Sequence, residues 1–121
     1  MPNITKQTNL KKYITKDNSS ICELMHPSQH GNANQSLAQA TVPVNTETQL
    51  HYHEKTEELY HIQQGSGLMT LGNTQFEVTV GDTIHIPEDT PHKIFNNGAI
   101  ELTFLCCCSP AYSHDDTFLL P

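Results

Sequence analysis

The chain has 121 residues, with six lysines and no arginine against thirteen Asp plus Glu, and a formal net charge of −7 at pH 7. That length suits one domain around one core, and the acidic balance disfavours nucleic acid and anionic membrane surfaces as partners. Without the planar guanidinium fork, a phosphorylated or dicarboxylate substrate is also disfavoured.

Met1 to Ser20 is rich in Asn, Thr and Lys, with Tyr13 and Ile14 as its obvious apolar anchors. Residues 1–20 are therefore expected to be a polar segment, partly ordered or packed on a partner, ahead of a domain spanning 21–121. This segment lacks the apolar run of a signal peptide, and no stretch of the chain is long and apolar enough to span a bilayer; a cytoplasmic protein is the expectation. Cys22 and the run Cys106-Cys107-Cys108 do not form a disulfide framework and are expected as reduced thiols.

Ile21 to Met25 predicts a short strand, followed by a polar loop from Ser28 to Gln35, with His26 and His30 solvated. Leu37 to Val44 has the β-branched content of a strand. Thr48 to His53 and Glu57 to Gln63 are expected as an antiparallel pair, and Gly65-Ser66-Gly67 as a tight turn. Leu68 to Leu71 and Gln75 to Val80 flank Gly72-Asn73, a two-residue hairpin signal. Thr83 to Ile86, His92 to Asn96 and Ile100 to Cys108 complete a series of short strands with no helical periodicity. Such a pattern argues for an all-β, single-domain antiparallel sandwich or barrel.

Within it, His51 and His53 stand two apart and share a face, roughly 6.6 Å apart along the strand, a bite suited to one metal ion. Glu58 supplies a third ligand if Glu54 to Thr56 turns the chain back, and His92 a fourth. Three imidazoles and a carboxylate suit Fe, Mn, Ni, Zn or Co as the divalent ion and are poor for Cu(I). His61 and His85 are less favoured alternates. Alternation places Tyr60 and Ile62 on the face of Glu58, which makes Tyr60 a group beside the site. Ile94 and Asn96 share the face of His92, and Leu102, Phe104, Cys106 and Cys108 read as core, with no role assigned to Cys106, Cys107 and Cys108 beyond packing. Only Lys55 and Lys93 lie near the site. His114-Asp115-Asp116 reads as a solvated tail, and Phe118-Leu119-Leu120 as an apolar end that folds back over the domain.

The run from Asn45 through His51 and His53, then four residues, Glu58, six residues and Gly65 resembles the first motif of the cupin superfamily. Gly81, five residues, Pro87-Glu88-Asp89-Thr90-Pro91-His92, three residues and Asn96 resemble the second. Asn45 and Asp89 stand where those motifs usually have Gly; both types tolerate glycine-like backbone angles. The flanks Ser36 to Thr41 and Cys108 to Thr117 are similar to small single-domain microbial cupins. The resemblance implies a jelly-roll β-barrel, metal at His51, His53, Glu58 and His92, a small-molecule ligand or substrate inside, and a homodimer. It implies either a metal-dependent enzyme of dioxygenase or isomerase type acting on a small neutral molecule, or a non-catalytic module that binds a small molecule or sugar.

Overall fold

The computed structural model describes all of Met1–Pro121. Eleven strands form two antiparallel sheets: β1 (Lys12–Ile14), β2 (Ser20–Met25), β3 (Ser36–Val42), β4 (His51–His53), β5 (Glu57–Gln64), β6 (Ser66–Leu71), β7 (Thr74–Thr79), β8 (Thr83–Ile86), β9 (His92–Phe95), β10 (Leu102–Ser109) and β11 (Thr117–Leu119). One sheet has the order β1-β2-β3-β10-β5-β8, the other β11-β4-β9-β6-β7. The crossovers between them close the sheets face to face as a jelly-roll barrel, the all-β architecture the strand pattern and the motifs imply. No helix is long and apolar enough to cross a membrane.

The alternation that predicts these strands sets the interior. In β5, Glu58, Tyr60 and Ile62 point in and Leu59 and His61 point out; in β10, Leu102, Phe104, Cys106 and Cys108 are buried. Apolar side chains fill one end, where Ile62, Met69, Ile94, Leu102 and Phe104 are almost fully buried, each contributing about 1.5–3 kcal/mol by leaving water. Along the same strands the lining turns polar: Ile62 gives way to Glu58, Phe104 to Cys108, and Ile94 to His92. The barrel therefore has a dry end and a polar end.

Buried Asn96 closes the dry end by donating to the carbonyls of Val42 and Ile100, both at 2.9 Å, and accepting from Gly98 N at 3.0 Å. Gly65 has φ +81°, and a Cβ there would stand 2.8 Å from the Glu101 carbonyl, so this turn requires glycine. Asn45 and Asp89 hold φ +62° and +59°; in both, a short polar side chain occupies the left-handed region in glycine's place.

Several expectations need correction. β4 and β5 do not pair with each other: β4 lies between β11 and β9, and β5 between β10 and β8. The connection Glu54 to Thr56 carries the chain from one sheet to the other, because the Asp116 carboxylate accepts from the backbone N–H groups of Glu54, Lys55 and Thr56. The stretch after Met25 is not all loop: Pro27–His30 forms one helical turn whose N-cap is His26, accepting from Ser28 N. His26 is half-buried and bonded through Nε2 to the Tyr112 carbonyl. Only Gly65 of the glycine pair turns the chain; Ser66 and Gly67 already belong to β6.

The polar first segment supplies strand β1, which pairs with β2 and extends the larger sheet. The C-terminal end folds back as β11 against β4, with Phe118 stacked on Tyr52 at a ring separation of 5.3 Å.

Candidate metal centre

His51 and His53 project inward from β4, and His92 is the direct cross-strand partner of His51 on β9. Their Nδ1/Nε2 donor atoms lie within 4.8 Å of one another, and all three residues are buried. Glu58 arrives from the opposite sheet, its Oε1 3.4 Å from His53 Nε2 and 3.5 Å from His92 Nε2. The four residues picked out in the sequence thus converge on one point inside the barrel.

Hydrogen bonding settles which ring nitrogen faces that point. His51 Nδ1 is 2.7 Å from the Gln49 carbonyl and His92 Nδ1 is 3.0 Å from the Thr90 carbonyl. A carbonyl only accepts, so each Nδ1 carries the hydrogen and, in the neutral ring, leaves a lone pair on Nε2. His53 Nδ1 faces the Asp116 carbonyl at 3.3 Å and Thr117 Oγ1 at 3.2 Å. The Thr117 hydroxyl donates its own hydrogen to Ser113 O, so it too accepts from His53. Backbone acceptors that orient imidazoles in this way could serve as the outer support of a metal ligand set.

The carboxylate is oriented as well. Cys108 Sγ donates to Glu58 Oε2 at 3.4 Å, leaving Oε1 to the histidines. Glu58 Oε1 and His92 Nε2 are both buried with no hydrogen-bond partner. Buried polar atoms without partners are costly, and here they face each other. Against the cost of burial, the His53 and His92 rings hold the Glu58 carboxyl well below the usual carboxylate range. Burial and the neighbouring His92 push His51 down to about 4, so it stays neutral. Burial alone would also lower His53, but Glu58 and the Asp116 carbonyl raise it above its ordinary value.

His51, His53 and Glu58 border a cavity of about 30 Å³, room for about two water molecules or an ion and one small group. Asp17, Ser19, Glu23, Tyr60, Cys106, Cys108 and Tyr112 also line it, and no lysine does. Tyr60 is buried, with its ring edge-on to His92 at 6.0 Å and packed on Phe104 at 4.5 Å. Burial raises Tyr60, Cys106 and Cys108 well above their ordinary values, which keeps them protonated donors and makes the thiols poor nucleophiles. His61 and His85 lie outside, bonded to Thr83 and Glu57. Lys93 pairs with Glu47 at 3.1 Å.

Sequence reasoning passed over Asp17 and Glu23, and it read Asp116 as part of a solvated tail although its carboxylate gathers the Glu54 to Thr56 turn. Asp17 and Asp116 sit in polar stretches that look solvated, and their one signal is the company of hydroxyl residues, Thr15 and Ser19 around Asp17 and Thr117 beside Asp116. Glu23 interrupts the apolar run of β2; burial raises its carboxyl, and its Oε2 accepts from Tyr13 at 3.1 Å.

Comparison with known proteins agrees with this architecture. A protein of Methanocaldococcus jannaschii, described as the uncharacterized protein MJ1618, is 54% identical over 116 residues, covering 96% of this chain and 93% of that one. The polyketide cyclase RemF of Streptomyces resistomycificus superposes with a TM-score of 0.83 at 20% identity, over 100% of this chain and 87% of that one. A variant of Streptomyces PAC13 with uridine superposes with a TM-score of 0.78 at 14% identity, over 100% and 92%. At such identities the two structures speak for the shared fold alone. The family model described as the cupin domain matches residues 38–108, from β3 through β10 and across every residue of the histidine and glutamate cluster. Fold, motif spacing and family match therefore place this chain among the cupin domain proteins.

Proposed function

We propose that the protein holds one divalent transition-metal ion with His51, His53, Glu58 and His92 and acts with it on a small neutral molecule, as an enzyme of dioxygenase or isomerase type. The observation that carries this reading is the inward set of lone pairs. The Nδ1 hydrogens of the three histidines are committed to backbone carbonyls, while Glu58 Oε1 faces the Nε2 atoms of His53 and His92 without a hydrogen-bond partner. A cation satisfies all four acceptors together; apolar packing satisfies none.

When bound, such an ion supplies Lewis acidity toward a carbonyl or hydroxyl oxygen, and redox chemistry if it is iron. The chain's own residues do the rest. Four protein ligands leave an open position facing the cavity. Ile21, Ala38, Ala40 and Phe104 exclude water from it, and Tyr60 and Tyr112 offer hydroxyls along its wall. The absence of lysine and arginine from the wall, together with the carboxylates Asp17, Glu23 and Glu58 in it, supports a neutral ligand over an anion. Buried thiols suit a reducing compartment such as the cytoplasm. We also propose a homodimer: Leu37, Leu105 and Cys107 lie partly exposed beside exposed Leu59 on the outer face of the larger sheet, and a single monomer mass in light scattering at micromolar concentration would remove it.

Elemental analysis of protein purified without added metal, followed by oxygen uptake with diketones, phenols and thiols, tests the reading. Stoichiometric iron with uptake selects the oxygenase. Stoichiometric zinc or nickel without uptake selects isomerase chemistry or a binding module. Protein that holds no divalent ion even after reloading refutes the reading.

A further inference from the structure

Asp17 lies outside both sequence motifs, in the loop that joins β1 to β2. That loop is a tight hairpin: Thr15 N donates to Ser19 O at 3.0 Å, Asn18 N donates to Thr15 O at 2.9 Å, and Asn18 has φ +72°. Its tip enters the mouth of the barrel, where Asp17 is 7% exposed. Asp17 Oδ1 is fully employed, accepting from Ser19 N, Ser19 Oγ and Thr15 Oγ1. Oδ2 is different: it stands 3.4 Å from His51 Nε2.

The backbone fixes that approach from the other side. Gln49 N donates to the Asp17 carbonyl at 2.7 Å, and the Gln49 carbonyl in turn receives the Nδ1 hydrogen of His51 at 2.7 Å. His51 Nε2 therefore presents a lone pair to a carboxylate oxygen in a cavity with no lysine in its wall. Two acceptors held face to face in a dry site repel unless a cation stands with them. Glu58 Oε1 has the same relation to His53 and His92, at 3.4 and 3.5 Å, and the unpartnered Glu58 Oε1 and His92 Nε2 mark the shared centre.

We infer that Asp17 is a fifth protein donor of this centre, its Oδ2 entering the coordination shell next to His51; the inference rests on the metal site proposed above. Donors at right angles around an ion about 2.1 Å away stand about 3 Å apart, so the separation seen here closes by a few tenths of an ångström when a cation draws the two atoms in. Two carboxylates and three neutral imidazoles balance the charge of a divalent ion. In a six-coordinate shell one position then remains, and with the protein's charge already matched to the ion it favours a neutral ligand, a water or an uncharged hydroxyl or carbonyl compound. The donor set also gains a second hard oxygen, which improves its match to Mn(II) and Fe(II). The β1–β2 hairpin becomes part of the wall that the ion holds shut.

The test is Mn(II) binding to metal-free full-length protein, read by the electron paramagnetic resonance of free Mn(II), with Zn(II) titrated in parallel. Asp17→Asn keeps Oδ1 for Thr15 and Ser19 but removes the charge. We expect it to weaken Mn(II) binding about 10- to 100-fold and to raise hydrogen exchange in the 12–19 hairpin of the Mn-loaded protein. Affinity within twofold of wild type in folded D17N overturns the inference. A crystal structure of Mn-loaded wild type decides independently of folding: Oδ2 in direct contact with the ion supports the inference, and Oδ2 outside direct contact with it overturns the inference. Loss of binding in His92→Ala with D17N unaffected removes Asp17 alone. Failure of the wild type to bind either ion removes the metal site itself, and this inference with it.

Discussion

Replacing Asp116 by Ala removes the carboxylate that gathers the turn between β4 and β5. Its Oδ1 and Oδ2 accept from Glu54 N, Lys55 N and Thr56 N, each at 3.2 Å. Bonds to an ionised acceptor contribute about 1.5–3 kcal/mol when short and buried. These are long, and Asp116 is half-buried, so the set is discounted to about 2 kcal/mol in all. For a domain of this size that lowers Tm by about 10 °C. The turn also fixes how Glu58 on one sheet meets His53 on the other, so metal affinity should fall as well, by about tenfold, the effect of loosening an outer support. Urea melts of metal-free protein give the first quantity, and Mn(II) titration of folded protein at low temperature the second. Asp116→Asn, which keeps one acceptor oxygen, should recover part of both. Wild-type stability and affinity in D116A would refute the account of why the chain crosses between sheets here.

Three further outcomes follow from groups already described. His51 titrates at about 4 in the folded protein, burial being the main cause, against about 6.5 unfolded. Its contribution is complete above pH 6.5 and is lost as pH falls toward 4, so metal-free wild type should lose about 2 kcal/mol more than His51→Gln between pH 7 and 5; His53, whose raised value acts in the opposite direction, is common to both, and equal slopes would contradict the buried neutral imidazole. Asn96→Ala orphans the Val42 carbonyl, the Ile100 carbonyl and Gly98 N, which should cost about 3 kcal/mol in urea unfolding with Mn(II) affinity unchanged, because Asn96 serves the dry end. Asp89→Ala should destabilise by about 1 kcal/mol while Asp89→Gly stays near neutral, since φ is +59° and only glycine enters that region freely; equal melting temperatures for the two variants would refute the assignment.

The strand alternation made most of the interior legible. A period of two across Glu58, Tyr60 and Ile62 and across Leu102 to Cys108 is enough to divide each strand into faces, and His-Tyr-His followed by an inward Glu puts the donors on those faces. Strand pairing was not legible, because the two-residue period says which way a side chain points and nothing about which neighbour it meets. His51 to His53 and Glu57 to Gln64, adjacent in the chain, belong to different sheets, and the agent of that separation is Asp116, some sixty residues further on. Asp17 was hidden for a related reason. A carboxylate among Thr, Lys, Asn and Ser has the composition of a solvated segment, and only the tertiary bond from Gln49 N to its carbonyl draws it inside.

His51, His53 and His92 all belong to the smaller sheet, while Glu58 belongs to the larger. The ion proposed among them would be a rivet through both layers of the shell, at the end where apolar packing is thinnest. Its loss would leave the Phe104 and Ile94 end closed and let the opposite rim part, so that on the proposed reading occupancy of the centre would govern how far the mouth gapes for an incoming molecule.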